Sequence, residues 1–286
     1  SPWSKGGWVN SQLFDHTSVL RFLEARFGVP APNITPWRRT VCGDLTSIFD
    51  FTDADPHWNT NLPETEHYLA ETRASCRLPA PSIPQSQTMP RQEITQRPAR
   101  ALPYALTADL VSDRANRHSL HLANIGTQGA VFQLLEQGRP MRHYTLGPGH
   151  MHNILLPPHE TYSITLHGPD GFYRAFSGSD LLEAVLETST SCDQIILKIR
   201  NSSPIDRNFT ISSAYTTSDI RKVTLFSQQE ARITWDISIS DNWYDLVVTE
   251  TSTRLSPTNK AMLHFAGHIQ TGRPSRTDPL MGRYSV

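Results

Sequence analysis

Hydrophobic positions change their spacing twice along the chain. Between Thr17 and Phe27 the apolar residues Val19, Leu20, Phe22, Leu23 and Phe27 return every three or four positions, the period of one helical face. Asp15 or Thr17 can cap that helix, and Gly28 followed by Pro30 stops it. Val41, Leu45, Ile48 and Phe49 recur at similar spacing and predict a second short helix over 40–51. The pattern then dissolves. Pro63, Pro79, Pro81, Pro84, Pro90, Pro98 and Pro103 interrupt any regular element, and Ser, Gln, Thr and Arg fill the gaps. One short helix is predicted over 64–75. The stretch 79–100 reads as irregular chain on a surface, because a buried backbone there lacks a donor at every Pro.

After Pro103 the period becomes two. Segments 119–124, 130–135, 152–156 and 162–167 read as short strands between Gly, Pro and Asn turns, and the same grammar returns at 195–201, 208–212, 231–235 and 243–248. Three blocks repeat in order: Leu120–Asn124 with Leu197–Asn201, Tyr162–Leu166 with Tyr244–Val248, and Phe172–Gly178 with Ala261–Gly267. The expected fold class is therefore mainly β: two tandem antiparallel β-sandwich domains, 103–187 and 190–281, followed by a short tail, 282–286. Leu120, Leu122, Ile164, Leu166 and Phe176 should face inward in the first, and Leu197, Ile199, Leu246, Val248 and Phe265 in the second. Segment 180–186 is expected to be a connecting turn or short helix.

Charge and composition narrow the function. A formal net charge of -1, with acids and bases mixed, offers no basic stripe for nucleic acid and no polybasic tail for anionic lipid. No apolar run approaches the ~20 residues of a membrane span, and no stretch has signal-peptide character. Cys42, Cys76 and Cys192 are an odd number without CxxC spacing, so at most one bridge can form.

Candidate chemistry is sparse. Asp15-His16 places an imidazole beside an acid where a Gly-rich loop enters a helix, suited to a metal or a phosphoryl oxygen. The plainer alternative has Asp15 capping the helix and His16 packing on Trp8. His150 and His152 would share one face of a strand, whereas His159 and His167 lie in different turns and no carboxylate recurs beside them, so the four read as surface or sheet-face residues. Gly147-Pro148-Gly149 reads as a turn rather than a phosphate loop, and no GxSxG nucleophile elbow occurs. Trp235, Trp243 and Tyr244 could form a stacking platform for sugars or lipid headgroups, although strand aromatics more often pack in cores.

Four motifs carry a resemblance: SPWSKGGWVNS at 1–11, FDHTSVLRFLE at 14–24, ITPWRR at 34–39 and GDLTS at 43–47, with DPLMG at 278–282 near the end. Together they closely resemble the last part of bacterial phospholipases C of the acid phosphatase and phosphoesterase superfamily, over essentially the whole chain. The resemblance implies the C-terminal portion of a phosphatidylcholine-type enzyme that yields diacylglycerol and a phosphorylated headgroup. On that reading 1–55 is a helical remnant of the α/β phosphoesterase domain, 56–102 a Pro-rich linker, and the β-rich repeats follow. The family's metal ligands and nucleophile lie upstream, so a divalent metal belongs to the full-length enzyme and none is expected in this fragment, which should be inactive alone. Asp15 and His16 are the catalytic elements that remain here. Implied partners are phospholipid or a membrane surface and the missing N-terminal catalytic portion, with no nucleic acid; the implied location is secreted or periplasmic, by the twin-arginine route. The competing reading is a non-catalytic binding or partner-interaction module. A corollary is that the apolar helix faces in 1–55, lacking their α/β sheet, stay exposed unless they dock elsewhere.

Overall fold

The computed structural model describes all residues except 1, 5, 55–63, 91–92, 114–116, 158–160, 180–181, 189–192, 252–259 and 282–286. Cys192, His159, Pro63 and the tail therefore lie outside the described residues.

The first helix, α1 (His16–Phe27), forms as its punctuation predicts. Asp15 is the N-cap, its carboxylate accepting from the Thr17 N–H while its own N–H donates to Ser18 Oγ, and Gly28 closes the helix in the left-handed conformation. The helix predicted over 40–51 is not there. Its turns fall earlier, in α2 (Pro36–Val41), and only one 3-10 turn, Thr46–Ile48, follows. Thr35 caps α2, and Pro36 occupies the first helical position, where a missing N–H costs nothing. The helix cannot continue because the chain at Gly43 presses under the N-terminal segment. Its N–H donates to the Leu13 carbonyl, and a Cβ on Gly43 would lie 2.5 Å from Gln12 Nε2. A third helix, α3 (Tyr68–Ser75), lies within 64–75 as expected and is exposed. In the Pro-rich stretch after it, the described residues 76–90 and 93–97 form no helix or strand and are exposed apart from the half-buried Gln96, until β1 (Pro98–Ala99).

Beyond β1 come seven strands: β2 (Leu106–Ser112), β3 (His118–Asn124), β4 (Ala130–Glu136), β5 (Arg142–Leu146), β6 (Met151–Leu155), β7 (Tyr162–His167) and β8 (Tyr173–Gly178). Seven more repeat the series: β9 (Glu183–Thr188), β10 (Gln194–Arg200), β11 (Arg207–Ser213), β12 (Arg221–Leu225), β13 (Glu230–Asp236), β14 (Trp243–Glu250) and β15 (Met262–His268). A final β16 (Ser275–Arg276) pairs with β1. Every pairing inside the first series recurs in the second: β2–β3 as β9–β10, β3–β6 as β10–β13, β4–β5 as β11–β12, β4–β7 as β11–β14, and β7–β8 as β14–β15. The aligned blocks occupy equivalent strands, and Tyr162 opposite Gly178 has its counterpart in Tyr244 opposite Gly267. All ten residues expected to face inward are buried.

The two series do not close into separate sandwiches. β8 pairs with β15, and β2 meets β9 at Leu110 and Ala184, which makes one six-stranded and one eight-stranded antiparallel sheet around a shared core. A period of two places strands and faces but does not say which strand edges meet. Segment 180–186, expected as a turn or helix, instead enters β9. Leu182, Ala184 and Leu186 are buried in alternation, the signature of a half-buried strand.

The repeat is most exact at Asn124 and Asn201. Asn124 Nδ2 donates to the carbonyls of Gln128 and Leu146, and its Oδ1 accepts from the Gly126 N–H. Asn201 does the same with Ile205, Leu225 and the Ser203 N–H. Both side chains are fully buried, so each substitutes for backbone pairing where the chain leaves one sheet for the other. Asn201→Ala should lower unfolding free energy by about 2–3 kcal/mol, the scale for stranding buried polar groups, read from a urea midpoint with unchanged slope.

Candidate functional site

The N-terminal segment is anchored to the sandwich by backbone and side chain. Val9 exchanges hydrogen bonds with Pro98 and Arg100, the Leu13 N–H donates to Tyr104 Oη, and Trp37 Nε1 donates to Thr145 Oγ1 on β5. This docking fixes the mouth of α1. There Asp15 accepts from Thr17 Oγ1 at 2.6 Å and pairs with Arg38. These bonds, the Thr17 hydroxyl first, hold the Asp15 carboxyl down to about 2. Asp15 therefore caps the helix as a carboxylate paired with Arg38. His16 stands on the first turn with its side chain exposed. The Arg100 guanidinium packs on Trp8, 4.4 Å from the indole centroid. Asp15 and His16 are neighbours in sequence with different surroundings.

The apolar positions of α1 divide. Phe22 stacks on Phe49 at 5.3 Å, whereas Val19, Leu20, Leu23 and Phe27 are exposed, Phe27 at 66%. The cleft between this segment and the sandwich, about 560 Å³, is lined by Gln12, Leu13, Phe14, Gln133 and His167 among others.

The other sequence candidates disperse. His150 and His152 are exposed, the latter against Tyr144, while His167 meets Tyr173 edge to face. Trp235 and Tyr244 are buried and Trp243 stacks on His268 at 4.3 Å, so these three do not form an open aromatic platform. Cys42 and Cys76 are both free. Among the described residues no three His, Cys, Asp or Glu side chains converge to hold a metal.

One constellation has no sequence signal at all. Ser275 Oγ lies 3.1 Å from His268 Nε2, and His268 Nδ1 lies 3.4 Å from Asp170 Oδ2, the order of a hydrolytic triad. Gln270 decides against that chemistry. Its Oε1 accepts from the Leu102 N–H, so its Nε2 must donate, and it reaches both Asp170 and His268 Nδ1. With Nδ1 accepting, the proton of neutral His268 sits on Nε2 and points to the Asp241 carbonyl, leaving no lone pair for the Ser275 hydroxyl. The cluster ties β15 to the linker and is not a nucleophile.

Residues 98–179 match the family described as bacterial phospholipase C, C-terminal domain, and residues 1–30 match the phosphoesterase family. The chain is a C-terminal portion of that phospholipase C class; the C-terminal-domain match spans β1 to β8, and Asp15-His16 lies inside the phosphoesterase match. It is 37% identical over 99% of its length to a non-hemolytic phospholipase C of Pseudomonas aeruginosa, and 38% identical over 98% to one of Burkholderia pseudomallei. A hemolytic phospholipase C of P. aeruginosa is 38% identical over 98%. The chain spans 42% of the length of the first two relatives and 44% of the third. Among the described residues no helix is long and apolar enough to cross a membrane, which says nothing of a β-barrel.

Proposed function

We propose that this chain completes a phospholipase C whose whole hydrolyses a phosphatidylcholine-like glycerophospholipid. Water adds to phosphorus, the bond from phosphorus to the glycerol oxygen breaks, and the proton leaves with diacylglycerol. The supporting observation is the order of the two matches, phosphoesterase at 1–30 and C-terminal domain at 98–179, on a chain that spans less than half of its relatives' length. The nucleophile and the divalent metal belong to the remainder of that length. Within this chain Asp15 is a positioning residue, holding the mouth of α1, and His16 presents its exposed imidazole to a phosphoryl oxygen as the late member of the site. The exposed apolar residues of α1 face the remainder of the phosphoesterase domain, and the sandwich supplies contacts to lipid or to that domain. A lipid substrate outside the cell matches a secreted or periplasmic location.

The test compares the complete protein with residues 1–286 alone on a chromogenic phosphocholine ester. The complete protein should turn over, and the isolated portion should not. Equal activity in the isolated portion would place the nucleophile within it and overturn the reading.

A further inference from the structure

Several cavities meet at one carboxylate. Asp170, in the turn between β7 and β8, lines the 560 Å³ cleft beside the N-terminal segment, a second cavity of about 290 Å³ at the starts of β2 and β14, and a narrow one of about 40 Å³. The two larger cavities are walled mainly by apolar side chains, Leu13 and Phe14 in the first and Leu106 and Phe172 in the second. Neither wall contains a lysine, an arginine or another carboxylate. An apolar lining of this size with one charged group is the usual form of a small-molecule site.

The carboxylate is fixed on one oxygen and unpaired on the other. Its side chain is 8% exposed, and Oδ2 accepts from Gln270 Nε2 at 2.6 Å with His268 Nδ1 at 3.4 Å. Gln270 is itself locked, because its Oε1 accepts from the Leu102 N–H. Oδ1 accepts no hydrogen bond from the described residues, and unlike the sealed nitrogens of Arg100 and Arg174 it keeps contact with solvent. It is the atom that Asp170 offers to the cavities. The surrounding charges leave a negative excess. Arg100, Arg276 and Asp278 stand across the narrow cavity, and Arg276 faces Asp241 at 4.0 Å, so Arg100 alone is set against Asp170 and Asp278. No lysine or arginine among the described residues comes within 4.0 Å of Asp170. A largely buried carboxylate in this setting favours a cationic donor, since a charge-assisted N–H···O bond is roughly twice as strong as a neutral one.

We propose that Asp170 is the ligand-binding carboxylate of a crevice that takes a small organic molecule bearing a primary ammonium group, either a free amine or the headgroup of a phosphate ester. The ammonium donates to Oδ1, and the carbon body lies along the apolar walls. Nothing in this assignment depends on the catalytic reading above.

The experiment titrates residues 1–286 with ethanolamine hydrochloride and, separately, with phosphoethanolamine at constant pH and ionic strength, with sodium chloride and tetramethylammonium chloride as controls. The readout is the Gln270 side-chain amide in ¹H–¹⁵N spectra, assigned by its absence in Gln270→Met, together with the backbone amides of Leu106 and Thr188 on the crevice wall. These signals should move saturably with at least one amine and not with sodium. Tetramethylammonium, which has no N–H to donate, should bind about tenfold more weakly, and Asp170→Asn should weaken the amine about tenfold. Asn suits the left-handed backbone there, φ 59°, so the variant should fold. Tighter binding of phosphoethanolamine identifies a headgroup, and tighter binding of ethanolamine a free amine. No saturable movement with either amine, movement confined to signals away from the crevice, equal affinity for tetramethylammonium, or equal affinity in a folded Asp170→Asn overturns the proposal. If Asp170→Asn does not fold, the position of the shifts and the preference over tetramethylammonium in the native chain decide it.

Discussion

In the complete protein, on the proposed role of His16, His16→Ala should lower turnover about 100-fold while the thermal midpoint stays within a degree or two, the scale expected for one positioned acid–base or electrostatic group. Two features of α1 separate the effects. The cap that holds the helix belongs to Asp15, Thr17 and Ser18, none of which the substitution touches. His16 itself is exposed and its loss opens no cavity. Asp15→Ala should behave differently, because it removes both the N-cap and the partner of Arg38, and it should cost about 1 kcal/mol of stability together with activity. Turnover and folding measured side by side on the two variants decide the matter. Normal turnover in His16→Ala would return His16 to an ordinary surface position.

The sequence showed the sandwich well because each strand carries its own evidence. Leu120 and Leu122 flank His121, Leu197 and Ile199 flank Lys198, and burial follows that alternation. Edges were invisible for a physical reason. The seam between β8 and β15 joins residues such as Phe176 and Leu263, whose side chains would look the same in two closed sandwiches. Arg174 was the one irregular residue there. Where the second series has Leu263 the first has a buried guanidinium, which donates across the seam to the Ala266 carbonyl and Tyr244 Oη. An arginine inside an apolar strand pattern is a signal that two units share a core. The misplaced second helix had another cause: Val41, Leu45 and Ile48 keep helical spacing, but the close approach of Gly43 to Gln12 is a tertiary contact that spacing does not record. The His268 network depends on partners far away in sequence, and no local motif announces it.

Removing one partner of the Arg207–Glu250 pair should give the largest loss of stability, about 3–5 kcal/mol for Glu250→Ala, because it takes the carboxylate away from a buried guanidinium. Both side chains are almost fully buried, 3% and 1% exposed, and the Ala261 N–H donates a further bond to Glu250. The pair closes the start of β11 against the end of β14, so its rupture should loosen the second series before the first. A double variant, Arg207→Met with Glu250→Leu, removes both charges at similar volume and should recover most of the loss. Acid should reproduce the single deletion. Burial alone raises the Glu250 carboxyl, but the Arg207 bonds, the Ala261 N–H and the nearby cations outweigh it and hold the group below its ordinary 4.5. A depressed folded value means the unfolded chain binds the proton more readily. The pair's contribution is therefore complete above 4.5 and is lost as pH falls through the folded value. Urea midpoints measured from neutral to strongly acid solution should fall over that range in the native protein and fall less in the double variant. Identical acid profiles for the two proteins would show that Glu250 titrates alike in the folded and unfolded chain.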